Sequence, residues 1–146
     1  MYVGDKMNYY NYLININKQV CNESKVRTKN IGYFEIIGKA IDDALQAENQ
    51  TALFNSAMHV ASLIKLFQPF YDGNHRTALI VFGDILNEKQ CNFDYERALD
   101  DMNNGRLTIP TIYEESDIVT FPSEWYAYLL TETKKVFKFK IKKPCI

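Results

Sequence analysis

The sequence predicts a single, mainly α-helical domain with a small β element. The chain has 146 residues, 47% of them hydrophobic, which is enough for one core without disulfides or metal ions. Apolar residues recur at three- and four-residue spacing over several windows, the pattern of helices with one buried face. Alternation of apolar and polar residues, the pattern of a half-buried β-strand, is confined to short segments. The expected β element comes from these segments.

Six segments are predicted to be helical. The two strongest, residues 51–67 and 74–89, carry continuous apolar stripes and should be buried at the centre. Pro122 and Ser123 are typical of a helix start. In chain order, the predicted helices cover residues 7–20, 34–47, 51–67, 74–89, 94–102 and 123–136.

The β element is expected chiefly near the C-terminus, where the alternation is clearest. Phe137, Phe139 and Ile141 alternate with lysines, and residues 107–109 and 118–121 are shorter candidates. Residues 21–32 are polar and separate two predicted helices, so we expect a surface loop there.

Composition excludes several classes of protein. Apolar runs are far shorter than the ~18 residues of a membrane-spanning helix, and polar residues interrupt the N-terminus where a secretory signal would be apolar. The chain has three cysteines, Cys21, Cys91 and Cys145, an odd number with no CxxC pair among them. We therefore expect reduced thiols in a cytoplasm, and we expect no metal site built on these cysteines.

The formal net charge of −1 combines an acidic body with a basic tail. Residues 134–146 hold six lysines and no acidic residue, so subtracting that +6 leaves −7 on residues 1–133. The acidic body argues against general nucleic-acid binding by the domain, which we assign to residues 1–133. The Lys-rich tail is either a solvated terminal strand or a contact for an acidic partner or membrane surface.

The residues best suited to binding a ligand or to catalysis lie in the segment that connects the two strongest predicted helices. Residues 68–77 read QPFYDGNHRT, in which Pro69 should stop the first helix. Gly73 would let the backbone approach a ligand closely. The N–H groups of residues 74–77 open the next helix and, with the positive end of its dipole, can bind an anion.

Two side chains add to this anion site. Arg76 is a permanently charged fork suited to phosphate oxygens, and Asp72 beside it can be a Mg²⁺ ligand. A purely structural interpretation stands beside this one, because Asp-Gly-Asn is a common turn and Asp72 can cap the helix. In that interpretation Arg76 is solvated, and Phe70 is in either case a core anchor that fixes the loop.

Taken together, the string resembles the signature of the Fic/Doc family, HxFx(D/E)(G/A)NxRxxR, in which a loop joins two helices of a small, mainly helical domain. Five positions match in register: Phe70, Asp72, Gly73, Asn74 and Arg76. The continuation NHRTAL, residues 74–79, is similar to the Doc branch. The resemblance covers about residues 10–135 and leaves the tail outside.

The resemblance implies a bacterial cytoplasmic toxin or an effector, with delivery into a host cell left open. Such a protein binds ATP or another nucleotide with Mg²⁺ and transfers AMP, or in Doc-like members a phosphoryl group, to a Ser, Thr or Tyr hydroxyl of a target protein. An antitoxin or inhibitory partner would accompany it. Asp72 would be the metal ligand, Gly73, Asn74 and His75 would surround the phosphates, and Arg76 would clamp them. The family's flap, which aligns the target as an added strand, would correspond to residues 21–32.

One departure from the signature concerns the chemistry directly. Gln68 occupies the position of the family's histidine, the general base that takes the proton of the attacking hydroxyl. A glutamine cannot accept a proton near neutral pH, and loss of a positioned base costs ~10²- to 10⁴-fold in rate. We expect an inactive or impaired transferase, either a natural pseudoenzyme or a chain whose base was replaced deliberately. The alternative is a non-catalytic module of the same fold that binds a partner protein.

Other departures affect nucleotide placement. His75 stands where AMP-transferring members have glycine and Doc has lysine, which favours Doc-like nucleotide placement. Its side chain is solvated or contacts a phosphate, or else it replaces the missing base. Leu79 stands where the family has its second arginine, three residues after Arg76 on the same helix face. His59 is expected to be structural, and residues 111–116 match the family's inhibitory helix only weakly.

Overall fold

The computed structural model describes residues 6–22 and 26–130, and these residues form five α-helices and one 3₁₀ helix. The helices are α1 (Lys6–Cys21), α2 (Ile31–Leu45), α3 (Gln50–Phe67), α4 (Asn74–Glu88) and α5 (Tyr95–Asn103), followed by the 3₁₀ helix Ser123–Tyr128. The prediction of a mainly α fold is confirmed, and the bounds of the five α-helices agree with the sequence pattern to within three residues. No helix in the described part of the chain is long and apolar enough to cross a membrane.

The helices α3 and α4 form the centre of the molecule. They pack against each other, α2 packs on α3, and α1 lies across α4 and α2. The apolar stripes of α3 and α4 are buried, including Ile64, Val81 and Ile85, except that Phe67 at the end of α3 is partly buried. Because residues 68–73 connect these two helices, the most firmly packed elements hold both ends of the motif.

Side-chain caps determine where the helices begin. The side chain of Asn30 accepts a hydrogen bond from the N–H of Gly32, so α2 begins at Ile31, three residues before the expected Phe34. Asn49 caps α3 by accepting from the N–H of Ala52.

The expected small β element is not formed by residues 6–22 and 26–130. Two isolated antiparallel bridges, Thr28 with Phe70 and Phe93 with Leu129, are present instead. In the short candidates at 107–109 and 118–121, Leu107, Ile109, Val119 and Phe121 are buried in the core, whereas Ile118 is 96% exposed. Packing rather than strand pairing explains the alternation of the buried residues. The C-terminal strand candidate, within residues 134–146, lies outside the described residues.

The predicted helix over residues 123–136 is wrong in type and length. A 3₁₀ helix ends at Tyr128, and the chain then extends alongside residues 92–94. The N–H of Asp94 donates to the carbonyl of Tyr128 at 2.8 Å, and the N–H of Leu130 donates to that of Asn92 at 3.2 Å. These long-range bonds replace the helical ones. Residues 131–136 lie outside the described part.

A partly buried carboxylate joins three helices. Asp84 of α4 accepts a hydrogen bond from Tyr12 of α1, at 2.5 Å, and another from Tyr95 of α5. Removal of its carboxyl from water raises the pKa of Asp84, and this desolvation outweighs the opposing effect of the two tyrosine bonds.

Replacing Asp84 tests this junction. We expect Asp84→Ala to lower the free energy of unfolding by roughly 1–3 kcal/mol, because two tyrosine hydroxyls lose their partner. Asp84→Asn should cost less, since the amide can accept from one hydroxyl and donate to the other. Urea denaturation followed by circular dichroism measures both.

The pH dependence gives a second readout of the same variants. The folded-state pKa of Asp84 lies above the unfolded one, so its contribution to stability is greatest at low pH and is lost as pH rises through the folded pKa. The difference in stability between the parent and Asp84→Asn should therefore shift in favour of the amide variant on going from acid to neutral pH. An Asn substitution as costly as Ala at every pH would contradict this account.

Candidate functional site

The motif loop, residues 68–73, leaves α3 and enters α4 through two left-handed backbone positions. Gln68 has φ 47° and ψ 62°, and its N–H donates to the carbonyl of Ile64 at 2.9 Å. Gly73 has φ 74° and precedes the first residue of α4. Left-handed φ is uncommon for a residue with a β-carbon, so Gln68 marks a sharp change of direction. Its side chain is exposed at the end of α3.

Asn74 closes the loop on itself. Its Oδ1 accepts from the N–H of Phe70 at 3.0 Å, and its Nδ2 donates to the carbonyl of Phe70 at 2.9 Å. The Asn74 side chain is buried, and the fully buried ring of Phe70 meets the edge of Phe34 in α2 at 5.5 Å between centroids. The amide side chain that the resemblance places beside the phosphates is thus engaged in shaping the loop.

Gly73 packs against the end of α1. A β-carbon at this position would lie 2.6 Å from Sγ of Cys21, 3.1 Å from Nδ2 of Asn17 and 3.2 Å from Cγ2 of Val20. The absence of a side chain therefore permits close approach of the loop to α1. The sequence predicts that this glycine makes room for a ligand. In the structure, Gly73 makes room for the side chains at the end of α1.

Asn17 is a site residue that the sequence does not single out. It is only 4% exposed, and its Nδ2 donates to the carbonyl of Asp72 at 2.8 Å and lies 3.3 Å from Oγ1 of Thr77. It ties α1 to both ends of the turn into α4. The signal in the sequence is its spacing of four residues from Leu13, which places a polar residue on the buried face of α1.

Arg76 also reaches α1. Its Nη1 donates to the carbonyl of Val20 at 2.6 Å, in the last turn of α1, where carbonyls lack helical partners. A guanidinium has five N–H donors, so this bond leaves others for an anion. Arg76 is thus anchored at the position where the sequence predicts a phosphate clamp.

An open, polar cavity of about 450 Å³ lies in front of the loop. Gln68 and residues 71–76 line it on one side, and Met102 and Asn103 at the end of α5 line it on the other. The structure therefore brings Gln68, Asp72 and the start of α4 together around one space. Leu79 is fully buried and does not line that space.

Asp72 supplies the carboxylate of this cavity. One of its oxygens, Oδ1, accepts from the N–H of Gly73 at 2.8 Å, and the side chain is exposed. In the described ranges no group of three or more histidine, cysteine or acidic side chains is arranged around a metal site. A single carboxylate nevertheless fits Mg²⁺ that takes its other ligands from phosphates and water.

The loop predicted as a flap lies beside the motif loop. The N–H of Lys29 donates to the carbonyl of Pro69 at 2.8 Å, and the N–H of Tyr71 donates to that of Arg27 at 3.3 Å. Together with the Thr28–Phe70 bridge, these bonds hold residues 27–29 against the motif. Residues 23–25 lie outside the described part.

His59 and residues 111–116 are not part of this cavity. His59 lines a separate cavity of about 570 Å³ between α2, α3 and residues 115–119, and burial lowers its pKa. Residues 111–116 form turns rather than an inhibitory helix, and Glu115 lines the cavity at His59.

Comparison with protein-family models, curated proteins and solved structures finds no match for this chain. The likeness to Fic/Doc proteins therefore rests on residues 68–79 and on the helices that flank them.

Asn17→Ala should destabilise the fold through the motif loop. The carbonyl of Asp72 loses a buried partner, and we expect a loss of roughly 1–3 kcal/mol in the free energy of unfolding. The control is Asn15→Ala, on the exposed face of α1, where alanine should be neutral or slightly stabilising. Chemical denaturation measures both, and equal effects would refute the role given to Asn17.

Gly73→Ala and Gly105→Ala separate backbone strain from crowding. Both glycines have positive φ, 74° and 72°, but a β-carbon at Gly105 would meet nothing within 4 Å. We expect ~1 kcal/mol of destabilisation at Gly105 from strain alone, and a further ~1–3 kcal/mol at Gly73 from the clash with α1. Thermal and urea unfolding give the comparison, and similar losses would show that α1 does not confine the loop.

Proposed function

We propose that this chain is a Fic/Doc-like nucleotide-binding domain, of the type that transfers AMP or phosphate from ATP to a protein hydroxyl, and that Gln68 leaves the transferase inactive or impaired. The observation that carries the proposal is the match of residues 68–76 to the signature, together with their arrangement around one polar cavity at the start of α4. At about 450 Å³, the cavity is within the size range of small-molecule sites.

The start of α4 supports anion binding. The N–H groups of residues 74–76 have no helical partners, and the preceding Gly73 offers no side-chain cap to occupy them. The N–H of Thr77, expected to be available as well, donates instead to the carbonyl of Gly73 at 2.9 Å. The positive end of the helix dipole and the charge of Arg76 act at the same place. In proteins, such donors bind the oxygen atoms of phosphate groups.

Asp72 is the side chain that would hold Mg²⁺. Bound Mg²⁺ with a nucleotide would supply the electrophilic phosphorus and neutralise charge on the phosphates. The chain's own part is to fix that position. The carbonyl of Asp72 is held by Asn17, and its Oδ1 by the N–H of Gly73, so the carboxylate has a defined direction.

The transfer step explains the effect of Gln68. The oxygen of a target hydroxyl would form a bond to phosphorus, the bond from phosphorus to pyrophosphate or to ADP would break, and the hydroxyl proton would have to leave. The amide oxygen of Gln68 can accept a hydrogen bond from that hydroxyl and orient it. It cannot take the proton near neutral pH, which is why we propose an impaired reaction.

The proposal includes a compartment and partners. We place the protein in a bacterial cytoplasm, where ATP is abundant and thiols stay reduced. A target protein with an accessible hydroxyl, and an antitoxin or inhibitory partner, belong to the same proposal. The Lys-rich residues 134–146 would add electrostatic attraction to an acidic partner or membrane surface.

A non-catalytic interaction module is the second candidate. One observation favours it: Gly73, Asn74 and Arg76 all have structural contacts, to α1 or within the loop. Residues that brace a loop are needed whether or not a nucleotide binds. Such a module would keep the motif for its shape alone.

Restoring the base tests the proposal. Gln68→His should give transfer to protein in a cell lysate at least ~10²-fold above the parent, because a histidine can take the hydroxyl proton. Label from γ-labelled ATP indicates phosphoryl transfer, and label from α-labelled ATP indicates AMP transfer. Gln68→Ala is the matched control and should remain inactive. Adding Arg76→Ala to Gln68→His should abolish transfer.

Calorimetry with Mg²⁺-ATP separates the two candidates. Binding by both the parent and Gln68→His supports the nucleotide site. If neither protein binds, the proposal is wrong and the interaction module stands. Binding without transfer by Gln68→His would retain the nucleotide site and overturn the proposed transferase chemistry.

A further inference from the structure

Tyr71 differs from the other aromatic residue of the motif loop. Phe70 is fully buried, whereas Tyr71 is 61% exposed and lines the 450 Å³ cavity. Its position, directly before Asp72, places the ring beside the start of α4. A large aromatic ring on the wall of an anion site is a surface on which a planar group can stack.

Two cations accompany this ring. Cζ of Arg27 lies 5.3 Å from the ring centroid of Tyr71, and Nζ of Lys29 lies 5.7 Å from it. Both distances are within the range of attraction between a cation and an aromatic face. The backbone bonds from Lys29 to Pro69 and from Tyr71 to Arg27 keep the three residues in one place relative to the motif.

The charge at this rim is opposite to that of the domain. Three cations lie here, Arg76 in the cavity lining and Arg27 and Lys29 at the Tyr71 ring, and Asp72 is the acidic residue of the lining. Residues 1–133 as a whole carry a formal charge of −7. A polyanion is therefore repelled by most of the surface and attracted here. Inorganic phosphate would use the cations and the helix start but has no group that stacks on Tyr71.

Tyr71 remains 61% exposed beside these two cations, so part of its ring surface is open on the cavity side. We infer that Tyr71 binds the base of the nucleotide by stacking on this exposed surface, while Arg27 and Lys29, which lie over the ring and outside the cavity lining, contact the phosphates from the flap side. This inference rests on the proposed function and deepens it by naming the part of the site that recognises the nucleoside. A tyrosine ring reads the face of a base rather than its edges, so purines should bind better than pyrimidines, with little difference between ATP and GTP. The two cations favour triphosphates over monophosphates.

The test compares ATP with inorganic tripolyphosphate, each with Mg²⁺, by calorimetry on the full chain. Tyr71→Leu should weaken ATP binding roughly tenfold and leave tripolyphosphate unchanged, because only ATP has a base to stack. Tyr71→Phe keeps the ring and should stay within about twofold of the parent. Tyr113→Leu, at a tyrosine 85% exposed and outside the cavity lining, is the matched control and should change neither ligand.

The cations have a separate signature. Arg27→Ala and Lys29→Ala should weaken ATP and tripolyphosphate by the same factor, and added salt should reduce that factor. Arg106→Ala, at an exposed arginine paired with Asp101, is the control and should have no effect.

Failure of the inference is distinguishable from failure of the proposed function. If Tyr71→Leu binds ATP as the parent does, or loses both ligands equally, base stacking on Tyr71 is refuted and the anion site stands. ATP binding no tighter than tripolyphosphate in the parent refutes the stacking as well. If the parent binds neither ligand, the nucleotide site itself is refuted, and the inference with it.

Discussion

The attachment of the motif loop to the end of α1 is the constraint on which the site depends. Asn17 holds the carbonyl of Asp72, Arg76 reaches the carbonyl of Val20, and Gly73 fits only because it has no side chain. The two hydrogen bonds connect residues 55 and 56 positions apart in sequence. Without them the loop would still be tied to α3, α4, residues 27–29 and Phe34, but the end of α1 would no longer hold Asp72. The site therefore depends on several elements of the fold, although its signature lies in one loop.

This arrangement gives the motif residues two tasks. Asn74 uses its side chain on the backbone of Phe70, and Arg76 uses one donor on α1, so the groups that remain for a ligand are backbone N–H groups, the Asp72 carboxylate and the other donors of Arg76. Donors fixed before a ligand arrives need no reorganisation when it binds, which favours an anion site. The same bracing would also serve a protein that only needs the loop's shape. Nucleotide binding, rather than loop geometry, separates the two.

Local signals in the sequence predict most of this fold, and one local cap together with long-range contacts accounts for what the apolar pattern misses. The stripes of α3 and α4 predict both central helices, because burial of one face decides helix formation there. The α2 start is missed by three residues because the Asn30 cap outweighs the apolar pattern. The segment after Pro122 reads as an α-helix, but bonds to residues 92–94 end it as a 3₁₀ helix. In the site, residues 68–76 can be recognised as a motif from the sequence. The role of Asn17 becomes clear only when α1 packs on α4.

Residue 68, where the Fic/Doc signature has a histidine, shows that the shape of this loop does not depend on the side chain at that position. The left-handed conformation of Gln68 does not depend on its side chain. It results from the end of α3, from the bonds of Asn74 to Phe70 and from the packing of Gly73 on α1. The side chain itself is exposed, and no core contact requires a glutamine there. Histidine is among the residues that tolerate this conformation best. Under the proposed function, an amide in place of a base at residue 68 would remove a proton acceptor and leave the loop that positions it, so the domain would lose its reaction and keep its nucleotide site.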